Sequence, residues 1–299
     1  MSFKRVKGNP MPELLQLQIE AKYFGAVKVL EKVAFSQRPG EIVTLVGQSG
    51  CGKSTLLRIV AGLERQFTGS ATVLGAPVQV HSRHVGFIFQ EPRLLPWLSV
   101  ANNVGFEGGT QGGRDPRVAQ LLAEVGLSDF ADAYPKQLSG GMAQRAAIAR
   151  GLFTQPELLL LDEPFSAVDA FTRIRLQDLL LGIAARHGTT LLLVTHDIDE
   201  AVYLSDRILV MAPRPGHIVT EIENPLPRPR ERQSTALAAL KLQVLSVLDT
   251  GALGAVDSPE KRLEAGTQAS GKFDSARRQT QQGIRSPLLQ SFSRIFSRT

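Results

Sequence analysis

Leu15, Leu17 and Ile19 alternate with Gln16, Gln18 and Glu20, and this period of two predicts a strand with one wet face. A second alternation through Val29, Glu31, Val33 and Phe35 runs up to Pro39-Gly40, so two antiparallel strands are expected to feed the apolar run 42–46. That run, like 158–161 and 191–195, has no polar alternation and predicts strands buried on both faces. Segments 70–74 and 85–89 read as further strands. Helical spacing appears in Leu56, Leu57, Ile59 and Val60, over 116–125, over 146–153, and again at Leu237, Leu240, Val244, Leu245 and Leu248.

Two stretches break the periodicity. Pro92 and Pro96 keep 91–97 irregular, which is expected to expose Leu94, Leu95 and Trp97 as a docking groove. Gly108 to Gly113 reads as a flexible loop within a mainly helical insertion at about 91–150.

The stretch from Gly47 to Thr55, GQSGCGKST, joins the apolar strand to the first helix and matches the phosphate-binding pattern G-x-x-x-x-G-K-[ST]. Gly47, Gly50 and Gly52 let successive backbone N–H groups of Gln48, Ser49 and Cys51 turn toward phosphate oxygens, and the helix adds its positive N-terminal end. Lys53 is then expected to reach the β and γ phosphates of ATP, with the Ser54 hydroxyl on Mg²⁺. Cys51 sits among these donors beside Lys53, so its thiolate is expected to be favoured and reactive.

Later motifs refine the class. LSGGMAQR at 138–145 places Ser139, Gly140 and Gly141 at a helix start, a second anion-binding nest without a lysine. Asp162 and Glu163 follow a buried strand, at the rim where open α/β sheets bind ligands; Asp162 is placed to hold Mg²⁺ and Glu163 to polarise an attacking water. His196 ends the next strand at the same rim and is expected to contact the γ-phosphate. His81, His84, His187 and His217 have no metal-ligand spacing and are read as surface residues. In Tyr23-Phe24-Gly25 an aromatic is offered that either stacks on a purine or is half-buried at a strand end.

Charge and composition narrow the partners. The chain has 299 residues and a net charge of +6, but from Pro225 onward twelve basic residues face six acidic ones, so the excess lies wholly in the tail. The neutral body lacks the basic block that tracks a nucleic acid. A single cysteine excludes a disulfide framework and fits a reducing compartment, no signal peptide opens the chain, and no apolar run is long enough for a bilayer.

With the P-loop, Gln90, the 138–145 motif, Asp162-Glu163, 166–169 and His196 in that order, the chain resembles the ATP-binding subunit of ABC transporters over about residues 14–225. The resemblance implies an α/β P-loop NTPase with a mostly parallel central sheet, an antiparallel β subdomain and the inserted α-helical subdomain. It further implies an adenine-stacking Phe24, a Q-loop Gln90 that also serves the metal, a catalytic Glu163, a D-loop Asp169 and a switch His196. Ser139 and Gly141 would serve ATP held by a second copy in a head-to-tail sandwich. Val168 stands where leucine is usual and Met142 where glutamine is frequent; neither removes a phosphate or metal ligand. The segments 91–97, 195–201 and 207–218 resemble the nitrate, sulfonate and taurine import branch. That branch implies a permease partner, a solute-binding protein acting indirectly, and a peripheral place on the cytoplasmic face of the inner membrane. A soluble ABC-type ATPase of nucleic-acid repair or translation is the alternative.

The domain reading is a flexible arm at 1–13, the ATPase domain at 14–230, a C-terminal helix at 231–250 and a disordered basic tail at 251–299. Leu288, Leu289, Phe292, Ile295 and Phe296 would share one helical face there, beside Arg285, Arg294 and Arg298, suited to an anionic membrane surface or a partner.

Overall fold

Why three stretches of this chain lack polar alternation is answered by what covers them. In the computed structural model, which describes residues 13–80 and 82–253, β3 (Ile42–Gly47), β7 (Leu158–Asp162) and β8 (Thr190–Thr195) lie inside a six-stranded sheet of order β10-β9-β3-β8-β7-β6. The other strands are β6 (Val85–Ile88), β9 (Arg207–Ala212) and β10 (His217–Glu223). Every pairing is parallel except β9 with β10.

Alternate residues of one strand feed two separate cores. Leu159 and Leu161 join the helices on one face, while Leu158 and Leu160 join the second core with α1 (Lys53–Val60) and the antiparallel sheet. A strand with apolar cover on both sides has no wet face, so its sequence loses the period of two.

The alternating N-terminal strands are β1 (Leu15–Phe24) and β2 (Val27–Gln37), paired antiparallel as expected. They belong to a second sheet, order β2-β1-β4-β5, with β4 (Phe67–Val73) and β5 (Ala76–Pro77). The stretch near 70–74 is therefore part of the antiparallel sheet, with Leu17 opposite Ala71.

The insertion is helical. It holds α2 (Val100–Val104), α3 (Pro116–Glu124) and α4 (Gly140–Leu152). Gly108 to Gly113, expected to be a flexible loop, instead lies in 3₁₀ turns within Phe106–Arg114 that are broken by a kink at Gly109, φ 72° and ψ −151°. The close approach of Gly105 and Gly112 explains it: a Cβ on Gly112 would come within 1.8 Å of the Gly105 carbonyl oxygen. The 91–97 segment is irregular as expected, but only partly open. Trp97 is 69% exposed, whereas Leu94 packs against the helical core.

After β7 come α5 (Ala170–His187), α6 (Ile198–Leu204) and α7 (Thr235–Leu253). Leu237, Leu240 and Val244 of α7 are buried, which ties this helix to the body. The helix spans Thr235–Leu253, starting later than the expected residue 231 and running past the expected end at 250. Residues 1–12, His81 and 254–299 lie outside the described residues, and with them the expectations for the arm and for the apolar stripe after Leu288. Among the described residues, no helix is long and apolar enough to cross a membrane.

Candidate nucleotide site

Buried β3 delivers the chain to the loop at 47–52, and α1 departs from it. Gly52 is the N-cap, with φ 95°, and a Cβ there would meet Leu30 Cδ2 at 2.5 Å, so both conformation and space demand glycine. Gln48, Ser49 and Gly50 face solvent, Ser54 and Thr55 are half-buried, and Lys53 is buried. The Lys53 ammonium donates to the Gly47 carbonyl at 2.7 Å and to the Gln48 carbonyl at 3.1 Å, which holds a positive charge inside the loop.

Cys51 departs from expectation. Its side chain belongs to the core under the loop and is fully buried. Burial pushes the thiol up from its ordinary value, outweighing the pull of Lys53. The favoured, reactive thiolate expected from the neighbouring donors is thus overturned: the Lys53 ammonium does reach the Cys51 sulfur at 3.8 Å, but burial outweighs it.

Three strand ends place the acidic cluster. Asp162 closes β7, and its Oδ1 accepts a hydrogen bond from the Ser54 hydroxyl at 2.9 Å. Burial raises its carboxyl above the usual range, more than the Ser54 bond lowers it, and the adjacent Glu163 adds to the rise. Glu163 has φ 46°, a left-handed conformation unusual for a residue with a side chain, fixed where its N–H meets the Val194 carbonyl at 2.9 Å. Its carboxylate accepts from Gln90 Nε2 at 3.3 Å and lies 3.2 Å from His196 Nδ1. Gln90 also donates to Ser166 Oγ at 3.3 Å, and Ser166 donates to the Glu163 carbonyl at 3.0 Å. Lys53, Ser54, Gln90, Asp162, Glu163 and His196 therefore gather at one rim of the sheet.

Phe24 ends β1 half exposed, with the Lys22 ammonium 4.4 Å from its ring centroid. Lys22 is itself buried and held by Glu64 at 2.9 Å and the Gln66 carbonyl at 2.7 Å.

Ser139, Gly140, Gly141 and Asp169 form a second locus. Ser139 caps α4 by accepting from the Met142 N–H, and Asp169 caps α5 by accepting from the Phe171 and Thr172 N–H groups. The bonds from Thr172 hold the Asp169 carboxyl below the usual range. The two helix starts touch, since a Cβ on Gly141 would meet Thr172 Cγ2 at 2.5 Å. Among the described residues no hydrogen bond joins this locus to the cluster around Glu163.

Several residues that matter to this arrangement were not singled out by the sequence. Buried Asn103 accepts from the Leu95 N–H and donates to the carbonyls of Leu95, Leu98 and Ser99, while Arg150 donates to those of Pro92 and Arg93. Together they pin the proline-broken segment that follows Gln90. Their one sequence signal is the polar Asn103 between the apolar Val100 and Val104.

A glycine loop between a buried strand and a helix, faced by carboxylates at the ends of parallel strands, defines a P-loop NTPase. Comparison with known proteins sharpens this. The ABC transporter family matches at residues 30–166. The chain is 58% identical over 234 residues to the aliphatic sulfonates import ATP-binding protein SsuB 2 of Burkholderia cenocepacia, covering 78% of this chain and 87% of that one. It is 60% identical over 240 residues to SsuB 1 of Pseudomonas syringae pv. syringae, covering 80% and 98%. Among solved structures, a dimeric post-hydrolysis state of the ATP-binding cassette MJ0796, bound to ADP and Pi, matches with a TM-score of 0.60 and 30% identity, over 70% of this chain and 98% of that one. The chain belongs to the ABC transporter family, as an ATP-binding subunit that hydrolyses ATP.

Proposed function

We propose that this chain powers the import of aliphatic sulfonates, with two copies closing head to tail on two ATP molecules. The observation that carries the hydrolytic part is the convergence of Gln90 and His196 on the Glu163 carboxylate, beside the Lys53 loop. The solute follows from the names of the relatives, which are sulfonate import proteins; they disfavour a soluble ATPase acting on nucleic acid.

In this reading the loop N–H groups from Gly47 to Thr55 and the Lys53 ammonium neutralise the phosphates, and Phe24 stacks on adenine. Glu163 orients and deprotonates the attacking water, and His196 contacts the γ-phosphate. Ser139, Gly140, Gly141 and Asp169 serve the nucleotide of the second copy, which accounts for their separation from the cluster within one chain. The solved dimer of a related cassette supports the pairing.

The residues present fit Mg²⁺. Ser54 and Asp162 form a hydroxyl–carboxylate pair, and the half-buried Asp162 carboxylate, raised by desolvation, is costly to ionise without a cation. A set of few protein oxygens suits an ion that keeps water and phosphate ligands. Ser54, Asp162 and Gln90 would hold it, and it would supply charge neutralisation at the β and γ phosphates.

The exposed Trp97, on the segment pinned by Asn103 and Arg150, is the surface that passes motion to an integral-membrane permease. The solute would arrive from a separate binding protein outside the membrane, and this chain would sit on the cytoplasmic face. Purification of the tagged chain from membranes tests the assembly: an integral-membrane protein in stoichiometric amount supports it, and nucleic acid in its place overturns it.

A further inference from the structure

His196 stands at the end of β8 with most of its ring exposed, yet both residues beside it are clamped by side chains. The Thr195 hydroxyl donates to Glu200 Oε2 at 2.7 Å and accepts from the Asp197 N–H at 3.0 Å. Asp197 Oδ2 accepts from Arg173 Nη1 at 3.1 Å, while its Oδ1 caps α6 by accepting from the N–H groups of Asp199 and Glu200. The cap is therefore complete without the Glu200 side chain. That side chain is 6% exposed, and its Oε1 lies 3.7 Å from Arg173 Nε, a nitrogen with no hydrogen bond of its own.

A buried carboxylate is expensive, and an apolar residue would fill the space under β8 at less cost. What the carboxylate adds is directional: it fixes Thr195 from below and engages a guanidinium from another helix. Arg173 belongs to α5, whose cap is Asp169, and its Nη2 reaches the Val168 carbonyl at 3.5 Å. One side chain thus spans the turn carrying His196 and the segment leading into α5.

We infer that Glu200 and Arg173 are positioning residues that hold His196 against Glu163 for hydrolysis and tie that geometry to the 166–169 segment. The inference rests on the role proposed above for His196 and Glu163. Glu200 and Arg173 line one small pocket with Glu163 and His196, but among the described residues no hydrogen bond or ion pair joins either of them to Glu163 or His196. They act through the turn at 195–197, and a small misplacement of a group aligned for reaction is enough to lower turnover strongly.

The test is steady-state hydrolysis against MgATP concentration for wild type, Glu200→Ala, Glu200→Gln, His196→Ala and the double variants, with thermal unfolding recorded alongside. Glu200→Ala is expected to lower kcat by about 10- to 100-fold while KM for ATP stays within about two-fold. Glu200→Gln keeps an acceptor for Thr195 and should recover a large part of that loss. In the His196→Ala background, Glu200→Ala and Glu200→Gln should add no further loss, because residues acting through one another are not additive. Full independence of the two losses overturns the inference while leaving the role of His196 intact, as does wild-type kcat in Glu200→Ala. Should Glu200→Ala not fold, Arg173→Lys, which keeps a charge but loses the guanidinium contacts to Asp197 and Glu200, takes its place in the same comparison with His196→Ala. Full turnover in His196→Ala overturns the functional reading itself, and the inference with it.

Discussion

Replacing Glu163 by glutamine removes one charge and little else. The side chain is 21% exposed and meets two neighbours, Gln90 Nε2 at 3.3 Å and His196 Nδ1 at 3.2 Å. A glutamine oxygen can accept from one of them, and Gln90, an amide itself, can turn its own oxygen to the new NH₂ group. The backbone anchor to the Val194 carbonyl is untouched, so stability should change by about 1 kcal/mol or less. Chemistry should suffer far more. An amide cannot take a proton from water, and loss of a positioned general base typically costs about 10² to 10⁴ in rate, or about 3 to 5 kcal/mol in the barrier. Phosphate release at saturating ATP and Mg²⁺ reads the loss, while binding of a fluorescent nucleotide analogue should persist. Trapped ATP should also move the variant to a dimer on size exclusion. Hydrolysis at the wild-type rate would refute the assignment of Glu163.

Asp162→Asn should trade activity for stability. Burial raises the native carboxyl above its unfolded value, so the folded protein binds the proton more tightly, and its stability falls as pH rises from the unfolded value through the native one. The asparagine variant, free of that ionisation and still able to accept from Ser54, should melt higher at pH 7 without nucleotide, with the gain vanishing below about pH 4; an equal Tm at pH 7 would contradict the desolvation of this half-buried charge. Cys51 should resist an aqueous thiol reagent in the folded protein and react fully on unfolding, and rapid labelling of the native chain would place the thiol outside the core. Ending the chain after Leu253 should leave hydrolysis near that of the full chain, because every residue assigned to phosphate chemistry precedes Asp197; a dead enzyme would make the later residues part of the catalytic domain.

Parts of this molecule were legible because their physics is local. The P-loop needs a strand, glycines, a lysine and a helix in continuous order, and 42–60 supplies them. The buried strands announce themselves by lacking alternation, since Leu158 to Leu161 serve two cores at once. What was illegible depends on contacts distant in sequence. The rim that unites Gln90, Asp162, Glu163 and His196 was inferable from strand ends, but the bonds of Glu200 to Thr195 and Arg173 were not. Neither was the burial of Cys51, whose sequence neighbours argue for a reactive thiol and whose side chain packs into the apolar core with the Lys53 ammonium 3.8 Å away. The glycines at 108–113 suggested freedom, and the close approach of Gly105 to Gly112 removed it.

The central claim is that hydrolysis at the Glu163 cluster drives sulfonate import. It is tested most directly by uptake of a labelled alkanesulfonate in the native host, with the chromosomal copy deleted and either the wild type or the Glu163→Gln variant returned. The account predicts uptake that is absent in the deletion, restored by the wild type and not restored by the variant. Uptake that persists without the chain, or that the variant restores in full, would contradict it.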